Sequence, residues 1–214
     1  MRTLYHFKYS PFSRRTRLAL AHKGLDCELR EPRETPAFLE EARKLVPFRT
    51  IPVLVDQGRA MGDSTAIVHW LDRAYASGPR LWPSGEDAAE AFQIAALVDV
   101  VLDGVIDAGT RYYALRNDPA WPAVKTEMVG RAQTAANALG DRAASLGRPT
   151  VSRDGWSAAD MWLLTMVTWF ESMPARVATA ANIRQITELG FELPRALCTW
   201  ADAHRERADV KALG

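Results

Sequence analysis

Cysteine is nearly missing from this chain. Its 214 residues include two, Cys27 and Cys198, which lie far apart and form no Cys-x-x-Cys pair. That spacing argues against a disulfide framework or a zinc site built on paired thiols. Net charge is missing too: 27 Lys and Arg offset 26 Asp and Glu, leaving +1. No bulk attraction to nucleic acid or to an anionic membrane follows from that balance. No apolar run approaches the ~18 residues that a membrane span needs, and the opening residues MRTLYHFKY lack the apolar centre of a secretion signal. Repeats and low-complexity tracts are absent. The expectation is a soluble, cytoplasmic protein. What is present, 48% apolar and 25% charged residues, is the balance of a globular chain with room for one large or two small domains.

The first third alternates between periods. TLYHF (3–7) is rich in β-formers and reads as a strand. PFSRRTRLALAHKG then reads as a helix, with Pro11 suited to its first turn and Gly24 to its end. CELREP is a weaker strand and AFLEEARKL a short helix. IPVLVD and RAMGD flank Asp56-Gln57-Gly58, a hairpin signal. STAIVHWLDRAYAS places Ile67, Trp70, Leu71 and Ala74 on one helical face. The order β-α-β-α-β-β-α describes a small α/β domain over 1–77. SGPRLWPSGED supplies a linker, taken as 78–85. The remainder, 86–214, reads as all-helical. A long helix over 86–117 carries Ile94, Leu97, Val98, Val101 and Val105 on one face. Helices follow in TEMVGRAQTAANALGDRAASLG, SAADMWLLTMVTWFES and PRALCTWADAHRERA.

Four local features bear on chemistry. Ser10-Pro11 opens the first helix, whose N–H groups and dipole favour an anion. Its hydroxyl suits a donor to a bound thiolate or, equally, an ordinary N-cap. Pro52, after Ile51, opens a strand. A cis bond there leaves the Ile51 backbone open to pairing with a peptide-like ligand; a plain strand-opening proline is the alternative. Asp63-Ser64 opens the third helix and suits an α-amino-acid head group, or a cap. Ser157 and Asp160 form a capping box, a folding feature without a catalytic role.

YSPFSRRTRLAL, TIPVLVD, GDSTAIVHWLD and SAAD, in this order, resemble the glutathione transferase superfamily over essentially the whole chain. The resemblance implies a thioredoxin-like N-terminal domain with a cis-proline at Pro52, an all-helical C-terminal domain, and a homodimer. It implies glutathione as co-substrate, paired through the Ile51 backbone and held at its γ-glutamyl head by Asp63 and Ser64. Ser10 falls where serine-type members keep a thiolate-stabilising hydroxyl and omega-like members a cysteine, so thiol–disulfide chemistry at this position should be lost. Ser13 likewise lacks the second thiol of glutaredoxin-like relatives. Tyr9 and Tyr5 are rival hydroxyls, ranked below Ser10 because only Ser10 has the Pro-then-helix setting. Arg49 stands where many relatives have Gly, near the expected glycyl end.

The activity implied is transfer of glutathione to an electrophilic small molecule. Phe12, Tyr112 and Tyr113 are the candidate electrophile contacts, with Arg111 beside them; adjacent tyrosines diverge on a helix, so one at most faces the pocket. Alternatives are a glutathione-dependent isomerase or dehalogenase, or a non-catalytic glutathione-fold binding protein. Asp99, Asp103 and Asp107 share one face with Arg111. They read as a solvated or interface face with an Asp107–Arg111 pair. The resemblance also implies that Asp99 or Asp103 reaches a γ-glutamyl ammonium across the dimer. No metal site is expected, since no His-bearing partner motif accompanies the row.

Overall fold

The computed structural model describes residues 1–48, 50–178 and 181–213. The first part contains β1 (Thr3–Tyr5), α1 (Pro11–His22), β2 (Glu28–Arg30), α2 (Ala37–Leu45), β3 (Val53–Asp56), β4 (Arg59–Gly62) and α3 (Ser64–Ala74). The sheet order is β2-β1-β3-β4. β1 runs parallel to β2 and antiparallel to β3, with Tyr5 opposite Val53. The β3–β4 hairpin turns through Gln57 and Gly58, both at positive φ, the backbone that a tight two-residue hairpin requires.

Strand alternation decides what each face buries. Leu4 and Leu54 point toward α1 and α3 and join the main core with Leu18, Ile67, Val68 and Leu71. Tyr5 and Val53 point the other way and form a smaller core with Ala42 of α2 and Val46 just after it. The main core continues without a break into the helices that follow.

Those helices are α4 (Glu86–Leu115), α5 (Trp121–Ser145), α6 (Ala158–Glu171), α7 (Met173–Arg176), α8 (Ala181–Thr187), α9 (Arg195–Asp202) and α10 (Ala208–Lys211). Ile94, Val98, Val101 and Val105 of α4 are buried as the periodicity predicts, while Leu97 packs at the edge. α6 is buried on nearly every side, the pattern of a central helix. Its capping box forms. Asp160 accepts from Ser157 N at 2.9 Å, Ser157 Oγ at 2.7 Å and Val151 N at 2.7 Å. Burial pushes the Asp160 carboxyl up to about 6 against those bonds. The connection between the two parts is tied down as well: Lys23 Nζ donates to the Tyr75 and Pro79 carbonyls, and Asp72 accepts from Leu81 N.

Three helical details depart from the sequence expectation. α5 starts at Trp121, five residues before the Ala-rich pattern, because Pro122 suits a first turn and Trp121 is buried. The expected last helix, over 194–208, ends at Asp202, and α10 begins only at its final residue. His204 bonds the Pro149 carbonyl at 2.7 Å and Arg205 clasps both oxygens of Glu171, contacts that break the helix between them. α7 and α8 are too short to show a period and carry no sequence signal of their own.

Candidate active site

The loop between β1 and α1 is held at each step. Phe7 N donates to Ser13 Oγ at 3.1 Å, Lys8 N to Glu31 Oε2 at 2.5 Å, and Ser10 N to the Phe7 carbonyl at 3.0 Å. Ser13, fully buried, thus works as a loop anchor where glutaredoxin-like relatives carry a thiol. Ser10 is the N-cap of α1, in extended conformation, accepting from Ser13 N at a long 3.4 Å. A hydroxyl has one proton and two lone pairs. The cap uses a lone pair, so the proton stays available to a sulfur anion. Cap and thiolate donor are therefore compatible roles for one oxygen.

The Tyr5 hydroxyl donates to Glu41 Oε2 at 3.0 Å and accepts from Arg30 at 3.0 Å, on the α2 side of the sheet. Tyr9 stays in the pocket, 40% exposed, with the Arg176 guanidinium 4.6 Å from its ring centre.

The Ile51–Pro52 peptide is cis, and the β3 ladder starts only at Val53. Asp63 takes φ +65°, a backbone that costs a non-glycine residue about 1–3 kcal/mol and gathers at functional sites. One of its oxygens caps α3, accepting from Thr65 N and Ala66 N at 2.9 Å each. Its other oxygen takes no part in that cap. Ser64, buried, accepts from Arg15 Nε at 2.9 Å. Arg49 lies outside the described residues.

Arg15 is the member of this site that local sequence patterns miss. It is buried at 2% exposure and joins three elements. Besides Ser64 on α3, it donates to Asp99 of α4 at 2.5 Å, and its guanidinium stacks 4.1 Å above the Trp162 ring of α6. Trp162 Nε1 also donates to Asp99, at 3.4 Å. Burial lowers the Arg15 pKa and Asp99 opposes that shift. The acidic row of α4 therefore splits. Asp99 turns to Arg15 of its own chain, Asp107 pairs with Arg111 at 3.0 Å, and burial beside Asp99 raises Asp103. No group of three or more His, Cys, Asp or Glu suited to a metal occurs among the described residues.

A cavity of about 290 Å³ opens beside Ser10, lined by Phe7, Tyr9, Phe12, Trp169, Ile106 and Thr110 among others. Phe12 contributes its ring from the first turn of α1. From α4 the wall is Ile106, Gly109 and Thr110 rather than the two tyrosines. Tyr112 turns toward Trp121 of α5. Tyr113 follows the Ile106–Gly109–Thr110 stripe one turn beyond the cavity, with Arg116 over its ring. Gly109 is required by a close approach: a Cβ there would meet Ile186 Cγ1 at 2.6 Å, and Ile186 of α8 closes the wall.

A four-stranded sheet with a cis-proline before its β3–β4 hairpin, a capped helix packed on it and an appended helical domain define a thioredoxin-like architecture with a helical C-terminal domain. Residues 4–80 match the family model described as "Glutathione S-transferase, N-terminal domain". Over 174 residues the chain is 35% identical to the probable glutathione S-transferase GSTU1 of Oryza sativa subsp. japonica, an alignment that covers 79% of this chain and 74% of that protein. The chain belongs to the glutathione S-transferase family. The crystal structure of rice GST1 (OsGSTU1) in complex with glutathione matches with a TM-score of 0.66 at 27% identity, covering 99% of this chain and 89% of that one. A glutathione S-transferase from Methylobacillus flagellatus with glutathione bound matches in fold, with a TM-score of 0.76 at 21% identity over 100% and 99% of the two chains.

Proposed function

We propose that the protein transfers glutathione to an electrophilic small molecule, with Ser10 as the hydrogen-bond donor that stabilises the glutathione thiolate. One observation carries this assignment: the Ser10 hydroxyl caps α1 with a lone pair and keeps its proton for an anion beside the helix N-terminus. A free thiol has a pKa of about 8.5, and a charge-assisted bond together with the α1 dipole lowers it toward neutrality. The thiolate then attacks an electrophilic carbon held in the cavity lined by Phe12, Trp169 and Ile106.

The γ-glutamyl head sits at the α3 N-terminus, its carboxylate toward Ser64 and its ammonium toward the second Asp63 oxygen. The cysteinyl part pairs with the Ile51 backbone. Arg15 fixes the Ser64 hydroxyl and links this half-site to α4 and α6. The domain division at 1–77, 78–85 and 86–214 follows from the same assignment, with glutathione on the first part and the electrophile between the two.

The functional unit is a homodimer. Supporting this is an open groove of about 750 Å³ on α4 and α5, lined by Ala96, Val100, Asp103 and Met128, together with exposed Phe48, Phe92 and Val100. The cytoplasm is the compartment proposed: Cys27 and Cys198 are both free thiols, and no helix among the described residues is long and apolar enough to cross a membrane.

Calorimetric titration with glutathione, followed by conjugation of a generic aryl halide, tests the assignment. Binding with turnover is the expected result. Absence of binding at millimolar glutathione overturns it.

A further inference from the structure

The cavity beside Ser10 is apolar on one side and basic on the other. Arg33, in the turn after β2, and Arg176, the last residue of α7, both line it. The Arg33 guanidinium lies 5.1 Å from the Phe7 ring centre. Arg176 stacks on Tyr9 and bonds Ser172 Oγ at 3.2 Å. A third guanidinium, Arg14, stands behind them, close enough to Arg176 and Arg17 to feel both charges.

No Asp or Glu lines the cavity among the described residues. Glu31 bonds two backbone N–H groups, those of Lys8 and Arg33, and its charge acts on Arg17. Arg17 itself donates to the Leu213 carbonyl at 2.7 Å. His6 is buried and held neutral, its pKa pushed down to about 4, so it adds no charge.

Arg176 is half-buried, and Arg33 stands exposed at the rim of the same wall. Burial lowers the pKa of Arg176, and repulsion from Arg33 lowers it further; Arg14 shows the same two causes. An anionic group placed between Arg33 and Arg176 offsets the repulsion between them. The rest of the wall, Phe7, Tyr9, Phe12 and Trp169, offers flat apolar surface.

We propose that the electrophile is a flat apolar molecule carrying a carboxylate, sulfonate or phosphate, and that Arg33 and Arg176 bind this anionic group while the reactive carbon faces the thiolate. The inference rests on the transferase assignment above and adds the substrate class to it. Guanidinium groups recognise such oxyanions through paired N–H donors, and aromatic faces hold the body.

A matched pair of probes tests this: 4-chloro-3-nitrobenzoate and its neutral carboxamide. In either case glutathione sulfur forms a bond to the ring carbon, chloride leaves with the C–Cl electron pair, and the thiol proton goes to solvent. Each kcat/KM is divided by the uncatalysed rate with free glutathione at the same pH, which removes the difference in intrinsic reactivity. The benzoate should be favoured by about tenfold or more, the worth of one charge-assisted contact. In Arg33→Gln and in Arg176→Gln the benzoate-to-carboxamide ratio should fall severalfold, mainly through KM of the benzoate, and in the double variant it should approach unity. Equal normalised rates in the parent, or variants that lower both probes alike, overturn the inference and leave the transferase assignment standing. So does a rise in KM for glutathione alone, which would place these arginines on the glycyl carboxylate. Glutathione binding without conjugation of either probe removes the transferase assignment, and this inference with it.

Discussion

Replacing Ser10 by Ala removes one oxygen that serves two purposes, and the two losses differ in size. The cap bond to Ser13 N is long, 3.4 Å, so its loss falls at the low end of N-cap effects. That is about 0.5 kcal/mol, or a Tm drop of about 1–2 °C in a chain of this length. The functional loss is larger. A hydrogen bond to a charged partner is worth about 1.5–3 kcal/mol, which corresponds to a rise of about one to two units in the pKa of bound glutathione. Taking 1.5 units from a parent value near ~6.5, the thiolate fraction at pH 6.5 falls from about one half to about one thirtieth. The rate falls less, because a more basic thiolate is a better nucleophile. A Brønsted slope of ~0.4–0.5 returns about fivefold and leaves a net loss near threefold. Above pH 9 both enzymes are ionised and the variant should match or exceed the parent. The pKa of the bound thiol is therefore the decisive reading, taken from thiolate ultraviolet absorbance against pH with glutathione saturating. A variant that keeps the parent pKa and the parent pH–rate profile refutes the role given to Ser10. Tyr9→Phe serves as the comparison and should leave that pKa in place.

Other perturbations separate binding from folding. Asp63→Gly relieves the positive φ while removing the carboxylate, so Tm should hold or rise, whereas Asp63→Ala should lose about 1 kcal/mol of cap; in both, KM for glutathione should rise about tenfold. Arg15→Met strands Asp99, whose side chain is 30% exposed, and should cost about 3 kcal/mol by urea unfolding. Adding Asp99→Leu should restore most of that stability but not glutathione affinity, because Ser64 still lacks its Arg15 donor. His6 has a folded pKa of about 4, below the 6.5 of a free imidazole. Its contribution to stability is therefore complete above pH 6.5 and lost as pH falls from 6.5 toward 4. His6→Leu should reduce the stability lost between pH 7 and pH 5 by about 2 kcal/mol, measured by urea unfolding at the two pH values. Ser10→Cys places a thiol at the α1 N-terminus, where its pKa is lowered; incubated with glutathione disulfide, it should gain one glutathionyl adduct by intact mass, with one reduced glutathione released, while losing conjugation.

What the sequence shows plainly in this protein is whatever obeys a local rule. Ser10-Pro11 and Asp63 are readable as helix openings because capping chemistry spans three residues, and Ser157 with Asp160 for the same reason. Pro52 at the head of a strand is readable because proline cannot join a ladder. Arg15 is hidden because its partners lie 49 and 84 residues away, and an arginine on a helix looks like a solvated one. Tyr112 and Tyr113 draw attention through their hydroxyls, while the α4 residues that line the cavity, Ile106, Gly109 and Thr110, carry only a helical spacing. The basic wall combines Arg33 from a turn and Arg176 from a four-residue helix, and neither stretch has a period to read.

The central claim, that Ser10 holds the glutathione sulfur, is met most directly by a crystal structure with glutathione bound. The account predicts the sulfur within about 3.5 Å of Ser10 Oγ, the γ-glutamyl carboxylate at the Ser64 end of α3, and the cysteinyl backbone paired with Ile51. A sulfur bonded instead to the Tyr9 hydroxyl, or glutathione seated away from the α1 N-terminus, would contradict it.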